Sequence, residues 1–225
     1  ADLENAVRER EALLREVHHR VKNNLQLMAS IMNLQLRRTR SEEAKTVMRR
    51  LQDRMLSLAT IHNSLFHTAN LTEVEAAPLL GGIVDQIIVS GAGSGQRFDI
   101  DTAFQPFTIS PEQVVPLALL ITEALGRAMK TAAATGVGIP RIEIVLTHDP
   151  DGAVSLRMVN EVVPGADEDE QMGDAGMLGN QLIQAFALQL DGTYRREIQA
   201  NRQIQILDFR LKPMTLGSAE PMPQG

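Results

Sequence analysis

Two long stripes of apolar residues, separated by a short polar turn, constrain this chain more than any other feature of its sequence. Leu3, Val7, Leu14, Val17, Val21, Met28 and Ile31 keep a heptad-like rhythm, with Arg10 and Asn24 as polar interruptions. That rhythm predicts one long helix with a seam, from residue 3 to about residue 35. Residues 37–41 are polar and turn-like, and Ser41 is placed to cap a second helix whose first turn carries Glu42 and Glu43. The second stripe runs through Ala44, Val47, Met48, Leu51, Met55, Leu58, Leu65 and Phe66. The two helices are expected to fold back as an antiparallel hairpin. A lone hairpin leaves both stripes in water, so a second copy completing a four-helix bundle is expected. The alternative is that the rest of the chain packs over the stripe.

After Pro78 the texture changes to mixed helix and strand. A helix is expected at 79–89, a Gly-rich link at 91–95, a strand at 97–103 and a helix at 111–133. Strands at 141–147 and 153–160 are joined by the turn Asp149-Pro150-Asp151-Gly152. An acidic loop at 167–174 leads to a helix at 177–190, and Asp191-Gly192 turns the chain into strands at 193–199 and 203–211. The expected fold class is α+β: a helical hairpin at 1–76, an α/β sandwich of helices over a mostly antiparallel sheet at 77–213, and a disordered tail at 214–225.

Composition excludes several classes of function. The chain has 225 residues and no cysteine, so disulfides, thiolate metal sites and cysteine nucleophiles are ruled out. Its apolar runs are far shorter than the roughly 18–20 residues of a membrane span, and its N-terminus lacks an apolar signal segment, so a cytoplasmic protein with no membrane partner is expected. A net charge of -6 and 3% aromatic content argue against a nucleic-acid partner. The basic cluster of Arg37, Arg38, Arg40, Lys45, Arg49 and Arg50 reads either as a solvated hairpin tip or as a docking patch for an acidic partner.

The five histidines remain as nucleophiles, and none has zinc-protease spacing, so no metal site is expected. On a helical wheel, Leu14, His18, Val21, Leu25, Met28 and Met32 fall within about 40° of one line, whereas His19 lies about 140° away. His18 therefore faces the seam and His19 faces solvent. An exposed imidazole with an ordinary pKa of about 6.5 is largely neutral at pH 7 and keeps a lone pair for in-line attack on phosphorus. Arg20 and Lys22 can offset the added negative charge, and Asn23, one turn away, can hydrogen-bond the ring or the phosphoryl oxygens. His62 falls on the second stripe and reads as a packed residue.

The string Glu16-Val17-His18-His19-Arg20-Val21-Lys22-Asn23-Asn24-Leu25-Gln26, followed by Ile31-Met32-Asn33-Leu34-Gln35, closely resembles the phosphoacceptor box of the second family of histidine-kinase dimerisation domains. The resemblance extends through Leu51-Gln52-Asp53-Arg54 and His62-Asn63-Ser64-Leu65 and covers the rest of the chain at lower specificity. It implies that the phosphorylated histidine is the one just before Arg, His19, and that the second domain is of the histidine kinase ATPase (Bergerat, GHKL) type.

In that second domain each nucleotide motif departs from the family pattern. The helix Pro116-Leu117-Ala118-Leu119-Leu120-Ile121-Thr122-Glu123-Ala124-Leu125-Gly126-Arg127 corresponds to the one carrying the family's magnesium-binding asparagine, which falls at Arg127, with an earlier asparagine at Thr122. Arginine cannot coordinate a cation. Glu123 remains as a general base or as an ordinary surface glutamate. The adenine-binding aspartate is replaced by Asn160, and Val162 stands where a glycine should let the backbone approach the ligand. Gly176 and Gly179 survive from a third motif, where a helix N-terminus could hold an anion, yet Asp167-Glu168-Asp169-Glu170 beside them opposes a triphosphate.

The resemblance and its departures together imply a dimeric histidine phosphotransferase of a two-component phosphorelay, similar to alphaproteobacterial phosphotransferases with degenerate ATP domains. It would exchange phosphate between His19 and the aspartates of response-regulator receiver domains, with Mg²⁺ supplied by the receiver and no cofactor held by this chain. Two alternatives stand beside it: an ATP-dependent sensor histidine kinase fragment with a divergent site, and a non-enzymatic pseudokinase adaptor.

Overall fold

The computed structural model describes residues 40–67, 73–92, 95–163 and 168–212, together with helical residues 23–25, 27, 28 and 30–32. The first of the expected hairpin helices and the tail at 214–225 therefore lie mostly or wholly outside the described residues.

The second of the two helices expected for the hairpin, α1, runs over Glu42–His67. Ser41 caps it, its Oγ accepting from the amide of Ala44 at 3.2 Å. Next come a two-residue strand, β1 (Val74–Glu75), and helix α2 (Ala76–Ala92). This helix is longer at both ends than the 79–89 expected. Pro78 falls in its first turn, where a missing N–H is tolerated, and so does not delay its start.

Strand β2 (Asp99–Phe104) and the short β3 (Thr108–Ile109) lead to helix α3 (Pro111–Ala133). Ser110 caps α3, accepting from the amide of Gln113 at 3.3 Å, with Pro111 and Glu112 in the first turn. Strands β4 (Arg141–His148) and β5 (Ala153–Glu161) meet through the expected turn. There the Gly152 amide donates to the Asp149 carbonyl at 2.9 Å, and Gly152 takes φ +85°.

Helix α4 spans Glu168–Gln189, so the acidic segment expected as a loop at 167–174 is helical from Glu168 onward. Carboxylates near a helix N-terminus are favoured by the helix dipole, which the reading of a charged loop left out. Strands β6 (Thr193–Gln199) and β7 (Arg202–Arg210) complete the fold.

Five strands form one sheet in the order β2-β4-β5-β7-β6, with β2 parallel to β4 and the other pairs antiparallel, while β1 and β3 form a separate antiparallel pair. Period-2 alternation puts Ile142, Ile144, Leu146, Leu156 and Met158 on the face that meets the helices. They pack with Leu80 and Ile83 of α2, Leu117, Leu120, Ile121 and Leu125 of α3, and Ile183 and Ala187 of α4. Ile61 of α1 joins the same core. Buried Gln113 ties the end of β7 to α3: its Nε2 donates to the Arg210 carbonyl at 2.8 Å and its Oε1 accepts from the Lys212 amide at 2.9 Å.

Candidate functional site

The site residues expected from sequence fall into two groups. Of the phosphoacceptor group, His19, Arg20 and Lys22 lie outside the described residues. Asn23 is helical and exposed, in a stretch where Leu27, Met28 and Ile31 also face water at 60%, 51% and 48% exposure. The side chain of His62, within α1, is outside the described set as well.

The second group converges on α3 and the neighbouring end of β5. Glu123 is not a surface residue: it is buried beside α1, and its Oε1 accepts from Nε of Arg54 in a close ion pair. One residue earlier, the hydroxyl of Thr122 meets that of Ser57 at 2.9 Å, both side chains being buried. One turn later, Arg127 is 3% exposed, a cation where the family pattern expects a magnesium ligand. Helical spacing explains why these three share a region: Glu123 and Arg127 are four residues apart and Thr122 borders them.

Asn160 closes β5 from the sheet side. Its Nδ2 donates to Thr131 Oγ1 at 2.8 Å and to the Glu161 carbonyl at 2.9 Å, and its Oδ1 accepts from Gln203 Nε2 at 3.0 Å. Both amide protons and the carbonyl are thus engaged inside the protein. Beside this set, Gln205 Nε2 donates to the Ala124 carbonyl at 3.2 Å and Gln205 Oε1 accepts from the Tyr194 hydroxyl at 2.8 Å. Val162 is buried and its amide donates to the Asn201 carbonyl at 2.8 Å.

Gly176 and Gly179 lie within α4, more than two turns after its start at Glu168. The expected anion site at a helix N-terminus beside these glycines is therefore corrected, because amides so far inside a helix bond to its own carbonyls.

Among the described residues no group of three or more His, Asp or Glu side chains is placed to hold a metal ion. A separate cavity lies at the other end of the sheet, with Asp149, Asp191, Asp208 and Arg210 beside Val154 and Phe209 in its lining. It contains none of the expected site residues. Sequence reasoning missed Arg54, Ser57, Thr131 and Gln203. Arg54 was visible only as part of a family-like string, and nothing local in the sequence pairs it with a residue 69 positions away.

Residues 16–90 match the histidine kinase family HisKA_2. The sensor histidine kinase PdtaS of Mycolicibacterium smegmatis is 30% identical over 132 residues, covering 57% of this chain and 26% of that protein. Its namesake in Mycobacterium tuberculosis is 31% identical over 140 residues, covering 59% and 27%. The chain thus spans about a quarter of the length of the curated relatives it matches. Among solved structures, the histidine kinase domain of the Erythrobacter litoralis EL346 blue-light activated histidine kinase superposes with a TM-score of 0.63 at 18% identity, over 92% of this chain and 94% of that one. That likeness shows a shared fold. Residues 16–90 thus carry the match to the HisKA_2 histidine kinase family, and the chain shares the fold of a histidine kinase domain.

Proposed function

We propose that the chain is a phosphoryl carrier: it accepts a phosphoryl group on His19 from the aspartyl phosphate of one receiver domain and returns it to the aspartate of another. In the first step the imidazole lone pair forms a P–N bond as the acyl phosphate P–O bond breaks, freeing the donor carboxylate. The second step is the reverse, on a different receiver. Arg20 and Lys22 offset the charge of the phosphohistidine, Asn23 orients ring or phosphoryl oxygens, and the receiver's own acidic pocket supplies Mg²⁺.

The observation that carries this reading is that side chains at the nucleotide-motif positions are already committed within the protein. The carboxamide of Asn160 is engaged by Thr131, Glu161 and Gln203, and Glu123 by Arg54. With Arg127 at the magnesium position, this set does not fit a magnesium nucleotide, and no step is routed through one. The reading divides the chain into a phosphoacceptor hairpin (1–76), an ATPase-like scaffold (77–213) and a tail, and makes two copies the working unit. No helix among the described residues is long and apolar enough to cross a membrane; the reading itself puts the site of action in the cytoplasm.

A second reading is favoured by the relatives, which are named sensor histidine kinases: the chain is then the catalytic piece of an ATP-dependent autokinase with a divergent site. A non-enzymatic adaptor that only binds response regulators is the third. One experiment separates them. Purified protein is incubated with Mg²⁺ and radiolabelled ATP, and separately with a labelled phospho-receiver, alongside His19→Ala. Label from the receiver alone, lost in the variant, is expected. Label from ATP overturns the carrier in favour of the kinase, and label from neither leaves the adaptor.

A further inference from the structure

Four side chains on one face of α1 reach the sheet unit. Ile61 is 1% exposed within the core, and Thr60 Oγ1 donates to Gln86 Oε1 of α2 at 2.6 Å. Ser57 and Arg54, one and two turns earlier, meet Thr122 and Glu123 of α3. The proton inventory fixes one direction. Thr122 has a single hydroxyl proton, given to the Ala118 carbonyl at 2.9 Å, so Ser57 is the donor across the interface.

The ion pair beside it is largely shut off from water, Arg54 at 16% and Glu123 at 6% side-chain exposure. A buried pair adds little net stability over an apolar one, but removing either partner strands a charge, so it enforces one arrangement strongly. Two bonds one turn apart also fix the azimuth of α1 on α3, which apolar contact at Ile61 alone would leave loose.

The geometry points to a latch: Arg54–Glu123 and Ser57–Thr122 hold the sheet unit on the hairpin in one orientation in solution, with Glu123 as a positioning residue and not a proton acceptor. Thr122 and Glu123 cannot serve α1 and a bound ligand at once, so occupation of that part of α3 by a ligand requires the latch to open. This goes beyond the carrier reading and does not depend on where the phosphoryl group comes from.

The chain has no cysteine, so Ser57→Cys with Thr122→Cys introduces a single pair, at positions whose hydroxyl oxygens are 2.9 Å apart. Mild oxidation of the full chain is expected to give an intramolecular cross-link in most molecules, read by gel mobility. Amide exchange over 54–61 and 117–125 is expected to agree within about two-fold between oxidised and reduced forms. Failure to cross-link, or exchange slowed more than about ten-fold by oxidation, overturns the latch, since either means the units separate in solution. Glu123→Gln keeps the shape and removes the charge. It is expected to raise exchange in those two segments about ten-fold or more while β5 and β7 amides stay unchanged, and unchanged exchange in the two segments overturns the role of the pair. Neither readout involves label on His19, so failure of the carrier reading is distinguishable from failure of the latch.

Discussion

Asn160 illustrates how a side chain at a family motif position can serve the fold. Replacing it with alanine removes a hydrogen bond from Thr131 and another from Gln203, all inside the protein. Asn160→Ala is expected to lower unfolding stability by about 1–3 kcal/mol, read as a lower urea midpoint with an unchanged slope. Asn160→Asp, which restores the family's aspartate, is not a repair. The Thr131 hydroxyl proton already goes to the Ala128 carbonyl at 3.2 Å, so a carboxylate there would face the lone pairs of Thr131 Oγ1. This variant should be destabilised too, and should take up no fluorescent ATP analogue at micromolar concentration; tight uptake would refute the account. At the opposite end of β5, Asp151 is held below the usual carboxylate range, first by the Ala153 amide and then by the Arg210 side chain. A lowered folded pKa stabilises above the unfolded value of about 3.9 and is lost as pH falls through the folded one. The stability gap between wild type and Asp151→Asn should therefore be present at pH 7 and close as pH falls below about 4, measured by denaturant titrations across that range.

The elements differ in how far local sequence determines them, and the joint between α4 and β6 shows why geometry matters there. The Gly192 amide donates to the Ala187 carbonyl at 2.9 Å and the Asp191 amide to the Leu188 carbonyl at 3.0 Å, with Asp191 left-handed at φ 52°, a Schellman ending. A Cβ at Gly192 would lie 2.8 Å from the Asp208 carbonyl oxygen and 2.9 Å from the Phe209 Cβ. Gly192→Ala should therefore destabilise by about 1–3 kcal/mol, because β7 backbone must move. Ala200, in the β6–β7 turn, sits at φ 56°, so Ala200→Gly should raise stability by about 0.5–1 kcal/mol; thermal melts of both variants check the opposite signs. Where sequence carries such signals the elements were legible: the Ser110-Pro111 start of α3, the Asp149-Pro150-Asp151-Gly152 turn, and the period-2 strands around it. The first turns of α4 were not, because the acidic residues up to Asp174 read as a loop, while its last turns bury Ile183 and Ala187 against the core. The two-residue strands β1 and β3 carry no periodicity at all. At the site, the motif departures could be read position by position, but the side chains that engage Glu123 and Asn160 come from α1, α3 and β7, and long-range pairing leaves no mark in a single sequence.

At the scale of the whole molecule, the sheet unit leaves part of the apolar stripe of α1 uncovered. On α1 the docked face of Arg54, Ser57 and Ile61 lies roughly 90° round the helix from the stripe of Val47, Leu51, Met55 and Leu58. Leu51 stays 39% exposed, and in the preceding helical stretch Leu27, Met28 and Ile31 are at least 48% exposed. The alternative of a stripe buried by the rest of the same chain therefore accounts for one face only. A second copy would bury the remaining apolar side chains along the hairpin, and at about 25 cal/mol per Å² that burial favours association. Sedimentation equilibrium at micromolar concentration is expected to give twice the chain mass. Met28→Glu with Ile31→Glu should shift it to the single chain mass, because both carboxylates would enter the apolar contact. Ile198→Glu, on edge strand β6, should leave the mass unchanged although Ile198 is equally exposed at 48%. Folding linked to association should also make the melting temperature of the wild type rise with protein concentration, and that rise should vanish in the double variant. A wild type of single mass at every concentration would mean that the exposed stripe serves another partner.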